Sequence, residues 1–557
     1  MDKTRAKFRQ LGNATQLKVR SYSYIGLWAS VAFYAIAQLP SLLPRDWYLQ
    51  ALIGGFSIAI GYGVGVGIRA LALWAVEKDS KEKTSPKAWK VLYIFAPAVM
   101  VAATALGWQW QNEIRSLMDI EAANSLYLLR ILLVSIFIGW GLVALARRIQ
   151  ALYRVIQKKT SIRLPRRISI LIALVLTYAI VVWVASGVFF SFLITQADRM
   201  FEYRNRESTA NIVRPTAPLQ TGSDESLISW DGVGRQGRTF IAGGPTAADI
   251  ESVTGENSLE PIRVYVGVDN ADSTREQASL AVDELKRTNA FDREFLIIAI
   301  PTGTGWIEPK TMDAVEYLHL GDTATVAIQY SYLPSWLSFL VDQQRAQEAG
   351  IELFDAVYDE WKLLPEEDRP TLLTFGLSLG SFGSQGSFSS SRDMVRAIDG
   401  ALYQGTPNDT QLWRDITDAR DSPSPEWQPV YNQGESIRFA SSNDDIASSI
   451  DSWDSDTRVL FLQHASDPIV WFSFDLIHQK PDWLNETRGP DVNSTVRWYP
   501  FITFIQIAVD QMIGNSVPVG HGHLYENTAV YSWAAITHMN DWEFDELASL
   551  QKNILER

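Results

Sequence analysis

The sequence predicts two parts of different class: an all-α bundle of five transmembrane helices, then an α/β domain on a mainly parallel sheet. Three observations carry this. Five apolar stretches of about 20 residues or more precede residue 195, each long enough to cross a bilayer. Residues 1–194 hold 23 Lys and Arg against 8 Asp and Glu, whereas the remainder holds 26 against 55, so the two parts suit different surroundings. After residue 237, strand-like and helix-like runs alternate. The resulting divisions are a membrane domain over 1–194, a juxtamembrane linker over 195–237 and an α/β domain over 238–557.

The predicted spans are Tyr24–Leu43, Leu49–Trp74, Val91–Trp110, Leu126–Ala146 and Ile168–Ile194. The first follows a basic segment and lacks a small-residue cleavage site, so it reads as a span and not as a leader. Basic residues mark alternate loops: Lys3 to Arg20, Lys78 to Lys90, and Arg147 to Arg167. By the positive-inside bias these three are cytoplasmic, which puts residue 195 onward on the extracytoplasmic side of the cytoplasmic membrane. Gly61, Gly63, Gly65 and Gly67 form two overlapping G-x-x-x-G spacings in the second span, read as close helix packing. No span carries an acidic residue or histidine at its middle, which argues against an ion pathway.

The chain has no cysteine, which excludes disulfides, thiol nucleophiles and thiolate metal sites. The acidic second half argues against a nucleic-acid partner, since phosphates need Lys and Arg. Strand-like runs are Ile262–Val268, Phe295–Ile300, Thr323–Gln329, Thr371–Phe375, Ala401–Gln404 and Arg458–Gln463. Arg275–Lys286 and Trp336–Trp361 read as helices, the latter interrupted near Gly350. Residues 405–455 read as loop, either a cap over a site or a surface excursion.

The chemistry centres on Gly376-Leu-Ser378-Leu-Gly380. An apolar strand runs into G-x-S-x-G and a helix-compatible stretch follows, the pattern of a nucleophile elbow. A serine nucleophile needs a general base, and the base needs an orienting carboxylate. In this arrangement the chain order is serine, acid, histidine. Asp467 follows the strand Val459–Gln463 and precedes Pro468; it suits the acid, and a helix N-cap is its alternative. Asp475 is a weaker candidate.

The base comes from Gly520-His521-Gly522-His523, after a possible strand near Ser516–Val519. His523 is favoured because it abuts the following helix; His521 stays open. A His-x-His pair also suits a metal, but no further ligands accompany it, so neither metal nor cofactor is expected. The Leu379 amide, first of the helix, would donate to an oxyanion, with a second donor among Thr302, Gly303 and Thr304 in Pro301-Thr-Gly-Thr-Gly-Trp306.

Together with Arg263-Val-Tyr-Val-Gly267 and Gln329-Tyr-Ser-Tyr-Leu-Pro-Ser-Trp336, these motifs resemble a bacterial family of membrane-anchored α/β-hydrolases, which join a multi-span N-terminal region to a catalytic domain. The resemblance covers most of the chain. It implies an α/β-hydrolase-like fold and a triad of Ser378, Asp467 and one of the two histidines, and no particular substrate. Leu377 departs from the acidic residue often found within the family's serine motif. The helix Arg275–Lys286, placed after the first strand, departs from the usual antiparallel start of the fold. The expected activity is hydrolysis of a lipid or other acyl ester at the membrane face. Acyl transfer, or ligand binding without catalysis, are the alternatives.

Overall fold

A computed structural model describes residues 20–76, 84–184, 203–333, 343–539 and 544–557, apart from 208, 210, 211, 451 and 454. The basic residues from Lys3 to Lys18, Lys78, Lys81 and Lys83, the linker's first residues, Ser335 and Trp336 lie outside the described residues.

Among the described residues, five helices occupy the N-terminal region: α1 (Tyr24–Ala37), α2 (Trp47–Ala75), α3 (Pro86–Leu117), α4 (Leu126–Thr160) and α5 (Arg166–Val182). Three of them, α2, α3 and α4, are long and apolar enough to cross a membrane, at 29, 32 and 35 residues. Among the described residues the expected count of five spans is therefore not confirmed. Helix α1 has 14 residues and rises about 21 Å, short of the roughly 30 Å of hydrocarbon. It stops well before the expected Leu43, ahead of Pro40, because proline removes a donor and clashes with the preceding turn. The end of the fifth expected span lies outside the described residues.

Glycines set the packing of these helices. A Cβ on Gly61 would lie 2.6 Å from Ala29 O, and one on Gly65 would lie 2.7 Å from Ile25 O, so this pair lets α2 press against α1. Gly54 and Gly55 do the same against Ser135 and Ile138 of α4. Gly63 and Gly67 face open space, so only one of the two overlapping spacings packs.

The chain forms two compact units that are not contiguous in sequence. The first gathers the N-terminal helices together with Phe474–Pro481 and Val492–Asp510. Within it, Arg45 is fully buried and paired with Asp510, Nε to Oδ1 at 2.6 Å and Nη2 to Oδ2 at 3.0 Å. Ser41 Oγ donates to Asp510 Oδ2 at 2.6 Å, and Gln50 Oε1 accepts from Arg45 Nη1 at 3.0 Å. Gln506 donates to Leu39 O at 3.0 Å and Asn493 to Glu113 at 3.0 Å.

The second unit is built on a seven-stranded sheet: β1 (Ile262–Val266), β2 (Phe295–Ile300), β3 (Thr323–Ile328), β4 (Thr371–Leu377), β5 (Gly400–Gln404), β6 (Ile437–Ala440) and β7 (Arg458–Leu462). The order is β1-β3-β2-β4-β5-β7-β6, and every pairing is parallel. Runs such as Phe-Leu-Ile-Ile-Ala-Ile in β2 are buried throughout, as parallel strands covered on both faces require. The expected loop over 405–455 instead holds a helix (Gln411–Asp418), the edge strand β6 and a second helix (Asn443–Ile450). The helix Gln343–Trp361 continues through Gly350. That glycine is there for contact, since a Cβ would lie 2.0 Å from Gly383 O in the helix after β4. Residues 336–342 of the helix expected there lie outside the described residues.

Candidate active site

The candidate residues collect at the C-terminal ends of the parallel strands, where α/β sheets bind ligands. Ser378 directly follows β4, and the helix Leu379–Gln385 starts at once. Its φ of 56° and ψ of −124° lie outside the regions open to most side chains. Gly376 and Gly380 permit this turn. A Cβ on Gly376 would lie 2.5 Å from Gly380 C, and one on Gly380 would lie 2.1 Å from Ile300 O. The Ser378 amide donates to Gln404 O at the end of β5, 2.8 Å away.

Asp467 follows β7 and is fully buried. Its Oδ1 accepts the Ile469 amide at 2.8 Å, so it does cap the short helix Pro468–Trp471. Its Oδ2 accepts from His523 Nδ1 at 2.6 Å and from Tyr525 Oη at 2.6 Å. One carboxylate therefore both caps this helix and meets the imidazole of His523. Asp475 lies in Phe474–Ile477, a segment of the first unit.

His523 is buried, and its Nδ1 proton is directed at Asp467, which leaves Nε2 as an acceptor. Nε2 is buried and has no hydrogen-bond partner among the described residues, Ser378 included. Such bonds commonly tighten only with substrate bound. The ring lies against Gly405, whose Cβ would come within 2.3 Å of Cε1, and Gly405 directly follows the residue that holds the Ser378 amide.

His521 goes elsewhere. The chain turns at Gly522, φ 55°, and His521 Nδ1 sits 3.7 Å from Asp491 Oδ2. The strand expected near Ser516–Val519 is absent; turns occupy it, closed by the bond from the His523 amide to Gly514 O at 2.9 Å.

The glycine-rich loop after β2 reaches the elbow through the contact of Ile300 O with Gly380. The Thr302 amide is bonded to Trp306 O at 2.9 Å, so it is not free to meet an oxyanion, contrary to expectation. No backbone bond engages the amides of Gly303 and Thr304 among the described residues. The Leu379 amide opens its helix and has no helical acceptor. Glu308 ends this loop by capping the helix Pro309–Leu318; burial raises its pKa to about 7.

Sequence reasoning assigned no role to Tyr525, Asp491, Ser466 or His464. Burial, then the Asp467 charge, pushes the Tyr525 hydroxyl well above its usual pKa, so it stays a donor to Asp467. Burial pulls His464 below the usual imidazole value. Burial alone would raise Asp491, but His521, His464 and Ser466 outweigh it and hold the carboxyl below its usual range. Among the described residues no group of three or more His, Asp or Glu could hold a metal.

A serine on a strained strand-to-helix turn at the end of a central parallel strand, with a paired imidazole and carboxylate on later loops, defines the α/β-hydrolase class. A family description bears this out: an alpha/beta-hydrolase family matches residues 262–550, and the N-terminus of an alpha/beta-hydrolase family matches residues 39–245. The chain belongs to this alpha/beta-hydrolase family. No curated protein and no solved structure is similar enough to count as a match.

Proposed function

We propose that this protein is a membrane-anchored serine hydrolase that cleaves ester-linked acyl groups at the extracytoplasmic face of the cytoplasmic membrane. The observation that carries the proposal is His523: Nδ1 is bonded to Asp467 at 2.6 Å while the buried Nε2 is left for another partner. Ser378 Oγ attacks the acyl carbonyl as Nε2 takes its proton, and Asp467 stabilises the imidazolium. The Leu379 amide, with Gly303 or Thr304, receives the developing oxyanion. His523 returns the proton to the leaving alcohol, and water then releases the acyl group by the same steps in reverse order.

The membrane location is supported by three helices of sufficient length and hydropathy, and the extracytoplasmic side by the sequence pattern alone, in which basic loops alternate across five apolar stretches. Anchoring concentrates lipid and envelope esters near the serine. The full chain in detergent should hydrolyse a generic chromogenic ester, and Ser378→Ala should lower kcat by at least about 10³-fold. Undiminished turnover in that variant would remove Ser378 from the reaction. A reporter fused after Ile194 should be active only if it is of the kind that works outside the cytoplasm.

A further inference from the structure

Gly522, between the two histidines, is held through both of the peptide groups that flank it. The Gly522 N–H donates to Ser466 Oγ at 2.9 Å, and its carbonyl accepts from His464 Nδ1 at 2.9 Å. Ser466 donates its own proton to Asp491 Oδ2, so its lone pairs are turned to the Gly522 amide. His464 is buried and stacked on Tyr525, ring centroids 4.3 Å apart and planes 9° apart. Tyr525 in turn holds Asp467. Gly522 has little room to move, since a Cβ there would lie 2.6 Å from Gly514 O.

Two carboxylate–imidazole pairs are thus interlocked. Asp467 meets His523, Asp491 meets His521, and Ser466, the neighbour of Asp467, binds Asp491 and the Gly522 amide. The four residues His464-Ala-Ser-Asp467 leave the rigid end of β7 and reach the base at three points: its ring through Asp467 and its loop through His464 and Ser466. Apolar residues would fill positions 464 and 466 without burying polar groups. What the polar groups add is direction, and general-base catalysis is sensitive to displacements of about 1 Å.

We propose that Ser466, His464 and Asp491 are positioning residues that hold Gly522 and thereby aim His523 Nε2 at Ser378. This rests on the serine-hydrolase reading above. The full chain in detergent is titrated with a fluorophosphonate, so that kcat is expressed per labelled serine and unfolded protein is not counted. Ser466→Ala should lower kcat per site by about 10- to 100-fold with KM within about twofold of wild type, and should slow labelling in parallel. Ser466→Thr, which keeps the hydroxyl, should restore most of the loss. A role confined to stability would lower the number of titrated sites and leave kcat per site unchanged; that result overturns the proposal. Should Ser466→Ala yield no folded protein, Asp491→Asn decides by the same criterion. Absence of labelling in the wild type would instead sink the hydrolase reading, and this inference with it.

Discussion

Ser378 holds a backbone conformation that a non-glycine residue keeps only when its surroundings enforce it. The enforcement is visible in Gly376, Gly380 and the bond to Gln404 O. The two histidines differ in the carboxylate they meet, not in their distance along the chain. His523→Ala should therefore abolish ester turnover, by at least about 10²-fold in kcat, while His521→Ala retains measurable activity. Reversed losses, measured on the same ester, would make His521 the base. At this scale the sequence was informative about chemistry of fixed spacing: G-x-S-x-G and the aspartate in the turn beyond β7 stood out because local turns favour such residues. Tyr525, Ser466 and Asp491 were not, because their partners lie 25 to 58 residues away and carry no spacing signal.

The elements show where local reading ends. Continuous apolar runs identified most strands, but β6 is a four-residue edge strand within a polar stretch, too short for any periodicity. Gly350 read as a helix break, whereas it is a contact point between helices. The helix Pro309–Leu318 carries a pH-dependent cap. Burial raises Glu308 from 4.5 to about 7, so the folded state holds this proton more tightly than the unfolded chain does. The associated stability is complete below the unfolded pKa and is lost as pH rises through the folded one, on the order of 3 kcal/mol in all. Glu308→Gln keeps an acceptor for the helix amides and removes the titration. Its Tm should fall less than that of wild type between about pH 5 and pH 8. Parallel Tm curves would show that Glu308 is not the group responsible.

For the whole molecule, the first unit is not one continuous stretch of chain, since it includes Phe474–Pro481 and Val492–Asp510 from far along it. The sequence did not disclose this. The apolar helix Ile502–Asp510 has nine residues, too few to read as a span, and its charged end makes sense only beside Arg45. Removing one member of a buried ion pair leaves the other uncompensated, at about 3–5 kcal/mol, whereas replacing both with apolar residues is often neutral. Asp510→Leu should lower the Tm of the full chain in detergent sharply. Arg45→Met combined with Asp510→Leu should recover much of it. An unchanged Tm in the single variant would mean that the pair does not hold these segments.

The central claim is that Ser378 is a nucleophile activated by His523. It is tested most directly by treating the full chain with a fluorophosphonate and locating the adduct by mass spectrometry. The account predicts one modified residue, Ser378, with modification lost in Ser378→Ala and strongly slowed in His523→Ala. A wild-type protein that stays unmodified, or one modified at another serine while Ser378 remains free, would contradict it.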